Sequence, residues 1–257
     1  MESRKPIGVF DSGVGGLSIL RALRSELPQE DVVYFSDAGH GPYGERADAF
    51  VAERSRAIAR QLLDEHRVKA LVVACNTATA AAVHLLRAQH DHIPTVGVEP
   101  ALKPAADLSR TGRIAVFATR STLSSARFRS LHESLRGRAD FVLQPCDGLA
   151  AAIETQDHEE VRSLCRLYAR SAGEFGNGPD QIDTLVLGCT HYAFACRELE
   201  DEVGQGVRIL ETGAPVARQT RRLLEARRIL NDAGRGQVEL VTTGAEHALR
   251  QAAQLWL

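Results

Sequence analysis

Two cysteines stand where a reactive group would be useful. In Leu71-Val72-Val73-Ala74-Cys75-Asn76-Thr77-Ala78-Thr79-Ala80 a short apolar run ends in a thiol, and polar residues then open an alanine-rich helical pattern. This predicts a buried strand, a sharp turn and a helix N-terminus, with Cys75 at the C-terminal tip of the strand. The construction recurs as Leu185-Val186-Leu187-Gly188-Cys189-Thr190-His191-Tyr192, with Cys189 at the matching place. In open α/β sheets ligands collect in the crevice beyond the carboxyl ends of the strands. The N–H groups and positive dipole end of the following helix stabilise an anion there, either a thiolate or a substrate carboxylate. One such thiol is equally well a packed core cysteine; two at matching positions suggest a paired device. Two thiols facing one carbon supply one base and one acid, and exchange roles when the reaction runs backwards. That suits a proton taken from one face of a carbon and returned to the other.

Other residues are candidates on weaker signals. Asp11-Ser12-Gly13-Val14-Gly15-Gly16 follows an apolar strand and carries a GxG, but position 18 is Ser where a dinucleotide fingerprint needs Gly or Ala. A carboxylate and a hydroxyl at a strand tip fit better as partners for a substrate ammonium group or a thiol. The plainer alternative is an N-cap for a helix beginning near Gly15. His191 lies two residues after Cys189 without further ligands nearby, which argues against zinc. Its imidazole suits a neighbour that stabilises a thiolate or donates to a carboxylate, with simple packing at a helix N-terminus as the alternative. Glu154 and Glu99, taken alone, read as surface carboxylates near element ends. Cys165 and Cys196 read as helix core thiols, and Cys146 has no assigned place. The stretch Asp37-Ala38-Gly39-His40-Gly41-Pro42-Tyr43-Gly44 is rich in residues that fix or free the backbone, as a segment folded over a ligand would be.

The elements that must hold these groups alternate regularly. Strands are predicted at 7–10, 32–35, 71–75 and 94–98, with helices at 17–27, 46–65 and from the first cysteine to about His90. Near-continuous apolar strands in βαβα order imply a parallel sheet covered on both faces. The alternation then restarts: Ile114-Ala115-Val116-Phe117-Ala118-Thr119 echoes Ile7-Gly8-Val9-Phe10-Asp11-Ser12 at nearly the offset that separates Cys189 from Cys75. This suggests an internal duplication, each half contributing one thiol. A helix at 122–135, a strand at 140–144, one or two helices in 147–175, a strand at 184–188 and a helix from 191 complete the second half. Gly173 to Asp180 reads as a mobile surface loop. A tail of strand (207–210), helix (214–229), strand (238–242) and helix (245–256) is expected to pack back onto the first half. The expected domains are 1–98 plus 211–257, and 99–210.

Composition bounds the function. The 257 residues are 44% hydrophobic and 25% charged, ordinary for a soluble globular protein. A net charge of −2 gives no long-range field to recruit nucleic acid or an anionic membrane. Five cysteines without CxxC spacing point to free thiols in a reducing cytoplasm. The N-terminal stretch is too short for a signal peptide, and no run approaches the roughly 18 apolar residues of a transmembrane helix.

The motifs together resemble the cofactor-independent amino-acid racemase superfamily, and within it the bacterial glutamate racemases. The likeness runs nearly end to end, through Phe10-Asp11-Ser12-Gly13-Val14-Gly15-Gly16-Leu17-Ser18, Pro42-Tyr43-Gly44, Ala74-Cys75-Asn76-Thr77-Ala78-Thr79, Gly188-Cys189-Thr190-His191-Tyr192 and Thr242-Thr243-Gly244. Aspartate racemases share the CNT and GCT motifs but resemble the chain less around Pro42-Tyr43-Gly44 and Thr190-His191-Tyr192. The resemblance implies two pseudo-symmetric α/β domains with mostly parallel sheets, an active site in the cleft between them, and no pyridoxal phosphate or metal. It implies that Cys75 takes the α-proton of D-glutamate and Cys189 that of L-glutamate, with Asp11 and His191 assisting the thiols and Glu154 near the second. Ser12, Pro42, Tyr43, Gly44, Asn76, Thr77, Thr119, Thr122 and Thr190, with Asp11 and His191, match substrate-contact positions. The implied partner is L- or D-glutamate, the implied role supply of D-glutamate for peptidoglycan, and a homodimer stays open. Ala193 stands where these proteins usually have proline, and Phe128 where tyrosine is common. The alternatives are another amino-acid racemase of the superfamily, a single-thiol decarboxylase or isomerase, which the second cysteine argues against, and a non-catalytic protein that binds small acids.

Overall fold

The computed structural model describes residues 2–257, so Met1 lies outside the described residues. The chain forms two compact units, one running to Val98 and resuming over Gly213–Leu257, the other spanning Glu99–Thr212. Every strand pairing in both sheets is parallel, as the alternation predicts.

In the first unit, β1 (Ile7–Asp11), β2 (Val32–Ser36), β3 (Ala70–Val73), β4 (Thr95–Gly97) and β9 (Val238–Thr242) lie in the order β4-β3-β1-β2-β9. The strands β1, β2 and β3 are buried at every position, which explains their unbroken apolar runs. Successive residues face opposite sides. Phe10, Phe35, Leu71 and Val73 form a core cluster with Val51, Ile58 and Leu62 of α2 (Asp48–Asp64) and Val83 and Leu86 of α3 (Asn76–Gln89). Tyr34, on the other face, meets the turn before α1 (Leu17–Glu26), where its hydroxyl donates to Gly13 O at 2.7 Å. The tail enters this unit: α10 (Gly213–Ala226) packs on α1, α11 (Glu246–Trp256) also meets α1, and β9 pairs with β2.

The second unit repeats the strand order. Its strands β5 (Arg113–Ala118), β6 (Asp140–Pro145), β7 (Thr184–Gly188) and β8 (Arg208–Leu210) run β6-β5-β7-β8, the counterpart of β2-β1-β3-β4. Its core joins Ile114, Val116 and Val186 to Leu102 and Ala105 of α4 (Leu102–Leu108) and to Phe128.

Several local expectations change. The single helix expected at 122–135 is two, α5 (Arg120–Ser124) and α6 (Ala126–Glu133), because Ser125 is extended between them. Its hydroxyl caps α6, accepting from Phe128 N–H at 3.1 Å, which a mid-helix serine could not do. The helix α4 was not foreseen, since seven residues carry too little periodicity; Pro104 is tolerated because it falls in the first turn. The segment read as a mobile loop is tied down: Gly176 N–H donates to Ile182 O and Ile182 N–H to Glu174 O, at 3.0 and 2.9 Å. Among the described residues no helix is long and apolar enough to cross a membrane.

Candidate active site

Because β1 and β3 are adjacent, parallel and in register, their C-terminal tips bring Asp11 and Cys75 to the same edge of the first sheet. Asp11 is fully buried, and Oδ1 accepts from Gly13 N–H at 2.8 Å and from the Ser12 hydroxyl at 3.3 Å. It therefore helps to fold the turn that leads into α1, whose N-cap position is Gly16. A Cβ at residue 16 would fall 2.6 Å from Asp11 Cβ, so glycine is required for this close approach. Cys75 is the N-cap of α3: Sγ accepts from Ala78 N–H at 3.4 Å, and the thiol donates to Ser12 Oγ at 3.9 Å. The result is a donor chain, Cys75 to Ser12 to Asp11.

Asn76 and Thr77 open α3 and are buried. Asn76 Nδ2 donates to Val98 O at 3.5 Å, while its buried Oδ1 has no hydrogen-bond partner among the described residues. Pro42 leads into a 3-10 turn, Tyr43–Glu45, that includes Gly44; the buried Tyr43 belongs to the core cluster that contains Cys75.

In the second unit Thr119 caps α5, accepting from Thr122 N–H at 3.2 Å, with the two hydroxyls 2.9 Å apart. Cys189 follows β7, but no regular helix starts there. A 3-10 turn, Thr190–Ala195, precedes α9 (Cys196–Val203), so the helix expected from 191 begins five residues later. Thr190 is buried in that tighter turn, and His191 folds back over the thiol, with Nδ1 3.8 Å from Cys189 Sγ. Its Nε2 lies 2.7 Å from Glu154 Oε2, at the end of α7 (Leu149–Glu154). Burial opposes the charged imidazole. The hydrogen bonds with Cys189 and Glu154 outweigh it and hold the His191 pKa well above its ordinary value. This second chain runs Glu154 to His191 to Cys189.

Cys146 follows β6, its N–H bonded to Ala118 O at 3.0 Å; burial, and secondarily the Cys189 thiol, push its pKa up. Cys165, on α8 (His158–Ala172), is a core thiol pushed up to about 12 by burial. Cys196 corrects the core reading: it is partly exposed at the start of α9 and donates to Glu211 Oε1 at 3.3 Å. Asp37 is the residue sequence reasoning undervalued. It is fully buried, and Arg54, Tyr43 and Thr243 all donate to its carboxylate. The glycine- and proline-rich loop after it was the available signal. Among the described residues no group of three His, Cys, Asp or Glu side chains could hold a metal ion.

The raised His191 pKa has a consequence for stability. A group whose folded-state pKa lies above its unfolded one contributes fully below the unfolded value, here 6.5, and the contribution is lost as pH rises through the folded value. The melting temperature of the chain should therefore exceed that of His191→Asn most below that pH, the gap closing on the alkaline side. A pH-independent gap in paired melts would contradict the assignment.

Comparison with known proteins gives one consistent neighbourhood. A family model described as Asp/Glu/Hydantoin racemase matches residues 16–220. The glutamate racemase of Methylococcus capsulatus is 45% identical over 255 residues, covering 98% of this chain and 92% of the relative. The crystal structure of Escherichia coli glutamate racemase, in complex with L-glutamate and the activator UDP-MurNAc-Ala, aligns with a TM-score of 0.84 at 31% identity, over 98% of this chain and 95% of that one. The glutamate racemase of Francisella tularensis, crystallised with D-glutamate, aligns at 0.83 and 26% identity, over 99% and 94%.

Proposed function

We propose that this chain, which belongs to the Asp/Glu/Hydantoin racemase family, interconverts L- and D-glutamate with two thiols, Cys75 and Cys189, one removing the α-proton and the other delivering a proton to the opposite face. Its activity is glutamate racemisation, an isomerisation. The two-thiol route is our reading. The observation that carries it is that each unit ends its third strand in a thiol backed by a polar chain to a carboxylate, through Ser12 to Asp11 and through His191 to Glu154.

Inverting a carbon centre requires a proton to leave one face and another to arrive on the other. Two bases accomplish this without turning the substrate. In the D-to-L direction Cys75 acts as the thiolate and removes the α-proton, and the Cys189 thiol donates to the opposite face; the roles reverse from L-glutamate. The α-hydrogen is weakly acidic, and each unit of pKa mismatch with the thiol costs about 1.36 kcal/mol. Stabilising the developing carbanion therefore matters more than adjusting the sulfurs. We assign that task, with substrate binding, to the hydroxyl, amide and backbone groups of Ser12, Pro42, Tyr43, Gly44, Asn76, Thr77, Thr119, Thr122 and Thr190. The buried Oδ1 of Asn76, without a hydrogen-bond partner among the described residues, suits an ammonium donor. The His191 imidazolium steadies the Cys189 thiolate, and Glu154 orients the ring.

We further infer a cytoplasmic location, where all five free thiols persist, and D-glutamate supply to peptidoglycan as the role. Assembly as a homodimer is a proposal that light scattering would test. The reaction itself is checked in D2O: either enantiomer should gain deuterium at the α-carbon while optical rotation decays to zero. A binding protein would change neither, and a decarboxylase would release CO2.

A further inference from the structure

We propose that Asp37 is a positioning residue for substrate binding, the fixed point that sets the loop of residues 38–44 in its binding conformation. The proposal rests on the glutamate racemase reading of this site.

Asp37 follows β2 directly, and its side chain gathers four residues from three places. Arg54 of α2 reaches it with two prongs, Nε to Oδ2 at 3.0 Å and Nη2 to Oδ1 at 2.7 Å. The Thr243 hydroxyl, just past β9, donates to Oδ1 at 2.9 Å, and His40 Nδ1 lies 2.9 Å from the same oxygen. The Tyr43 hydroxyl donates to Oδ2. The main chain adds to this: Asp37 O accepts from His40 and Gly41 N–H at 2.9 and 3.1 Å, and Asp37 N–H donates to Asp11 O at 2.9 Å. One residue thus joins the strand tip that carries Asp11, helix α2, the turn after β9 and the loop bearing Pro42, Tyr43 and Gly44.

The loop is held close. A Cβ at Gly41 would lie 2.3 Å from Ser12 O, and one at Gly39 would lie 2.6 Å from Thr243 O, so the backbone presses directly on Ser12 and on the turn after β9. Ser12 in turn accepts from the Cys75 thiol. Burial alone would raise the Asp37 pKa, but the Arg54, Tyr43 and Thr243 hydrogen bonds hold the carboxyl below its ordinary range. A carboxylate so saturated with donors is a poor proton carrier. Its effect is expected in binding geometry and not in the proton-transfer step.

The test is kcat and KM for both glutamate enantiomers, with thermal melts, on the intact chain and on Asp37→Asn, Arg54→Lys and Thr243→Val. Asp37→Asn should raise KM roughly tenfold while kcat stays within about threefold, since binding and not the chemical step is weakened. Thr243→Val, which removes one donor outside the substrate-contact set, should raise KM about threefold, and Arg54→Lys, which keeps the charge but loses the fork, should fall between. If Asp37→Asn does not fold, the other two variants decide the matter by the same split. Lower melting temperatures with unchanged KM would reduce Asp37 to a structural strut, and a fall in kcat at constant KM would make it catalytic; either overturns the proposal. An unsubstituted chain that racemises no glutamate would instead overturn the reading beneath it.

Discussion

Cys75→Ser and Cys189→Ser are each expected to lower racemisation in both directions by at least ~10³-fold, within the range of removing a positioned acid or base. Both directions fail together because every turnover uses one thiol to take the proton and the other to return it. Serine preserves the shape, and each site is already built to hold a small polar atom: Ala78 N–H points at one sulfur and His191 stands beside the other. Folding should therefore be little affected. Cys165→Ser is the control, since that thiol is buried in α8, and its pKa of about 12 leaves it protonated at neutral pH. It should retain nearly all activity, with a modest loss of stability from placing a hydroxyl in an apolar site. Polarimetry from each enantiomer, with circular dichroism to confirm folding, checks all three. Equal losses in the three variants would mean that sulfur is needed for structure and not for chemistry.

The largest stability effect is expected at the opposite rim of the first sheet. Lys69, just before β3, and Glu30, just before β2, form an ion pair at 2.5 Å with both side chains essentially inaccessible. Lys69 Nζ also donates to Ser3 O at 2.5 Å, and Glu30 Oε1 accepts from Asn231 N–H at 2.8 Å. The pair ties the starts of both strands flanking β1 to the N-terminal segment and to the connection that leads to β9. Lys69→Met leaves Glu30 as an uncompensated buried charge, which costs about 3–5 kcal/mol. For a chain of this size that is a drop in melting temperature of roughly 10 °C. Burial already raises the Glu30 pKa despite Lys69, so without its partner the carboxyl is readily neutralised. The destabilisation should therefore shrink as pH falls toward the ordinary carboxylate range. Adding Glu30→Met should restore much of the loss, because replacing both members of a buried pair is often neutral. A single variant that melts within about 2 °C of the original chain would show the pair to be dispensable.

Much of the site could be read along the chain. Cys75 and Cys189 stand out because a buried parallel strand and the helix after it are written in contiguous residues, so the tip between them is a local feature. The duplication was visible for the same reason, and the two units do share a strand order. Short-range competition was harder to see: Ser125 breaks one expected helix into two, and the tight turn after Cys189 delays another. What no local pattern carries is the meaning of an acidic side chain, which depends entirely on what folding places beside it. Glu154 looked like a surface carboxylate until the fold set it on His191, 37 positions away. Asp37 read only as the first residue of a glycine- and proline-rich loop until β9, pairing with β2, brought Thr243 to it from 206 positions away. Amino-acid type and spacing determined which groups could react and which strands would present them. Only the sheet order decided which carboxylates support those groups, because hydrogen bonds act over about 3 Å in space and are indifferent to distance along the chain.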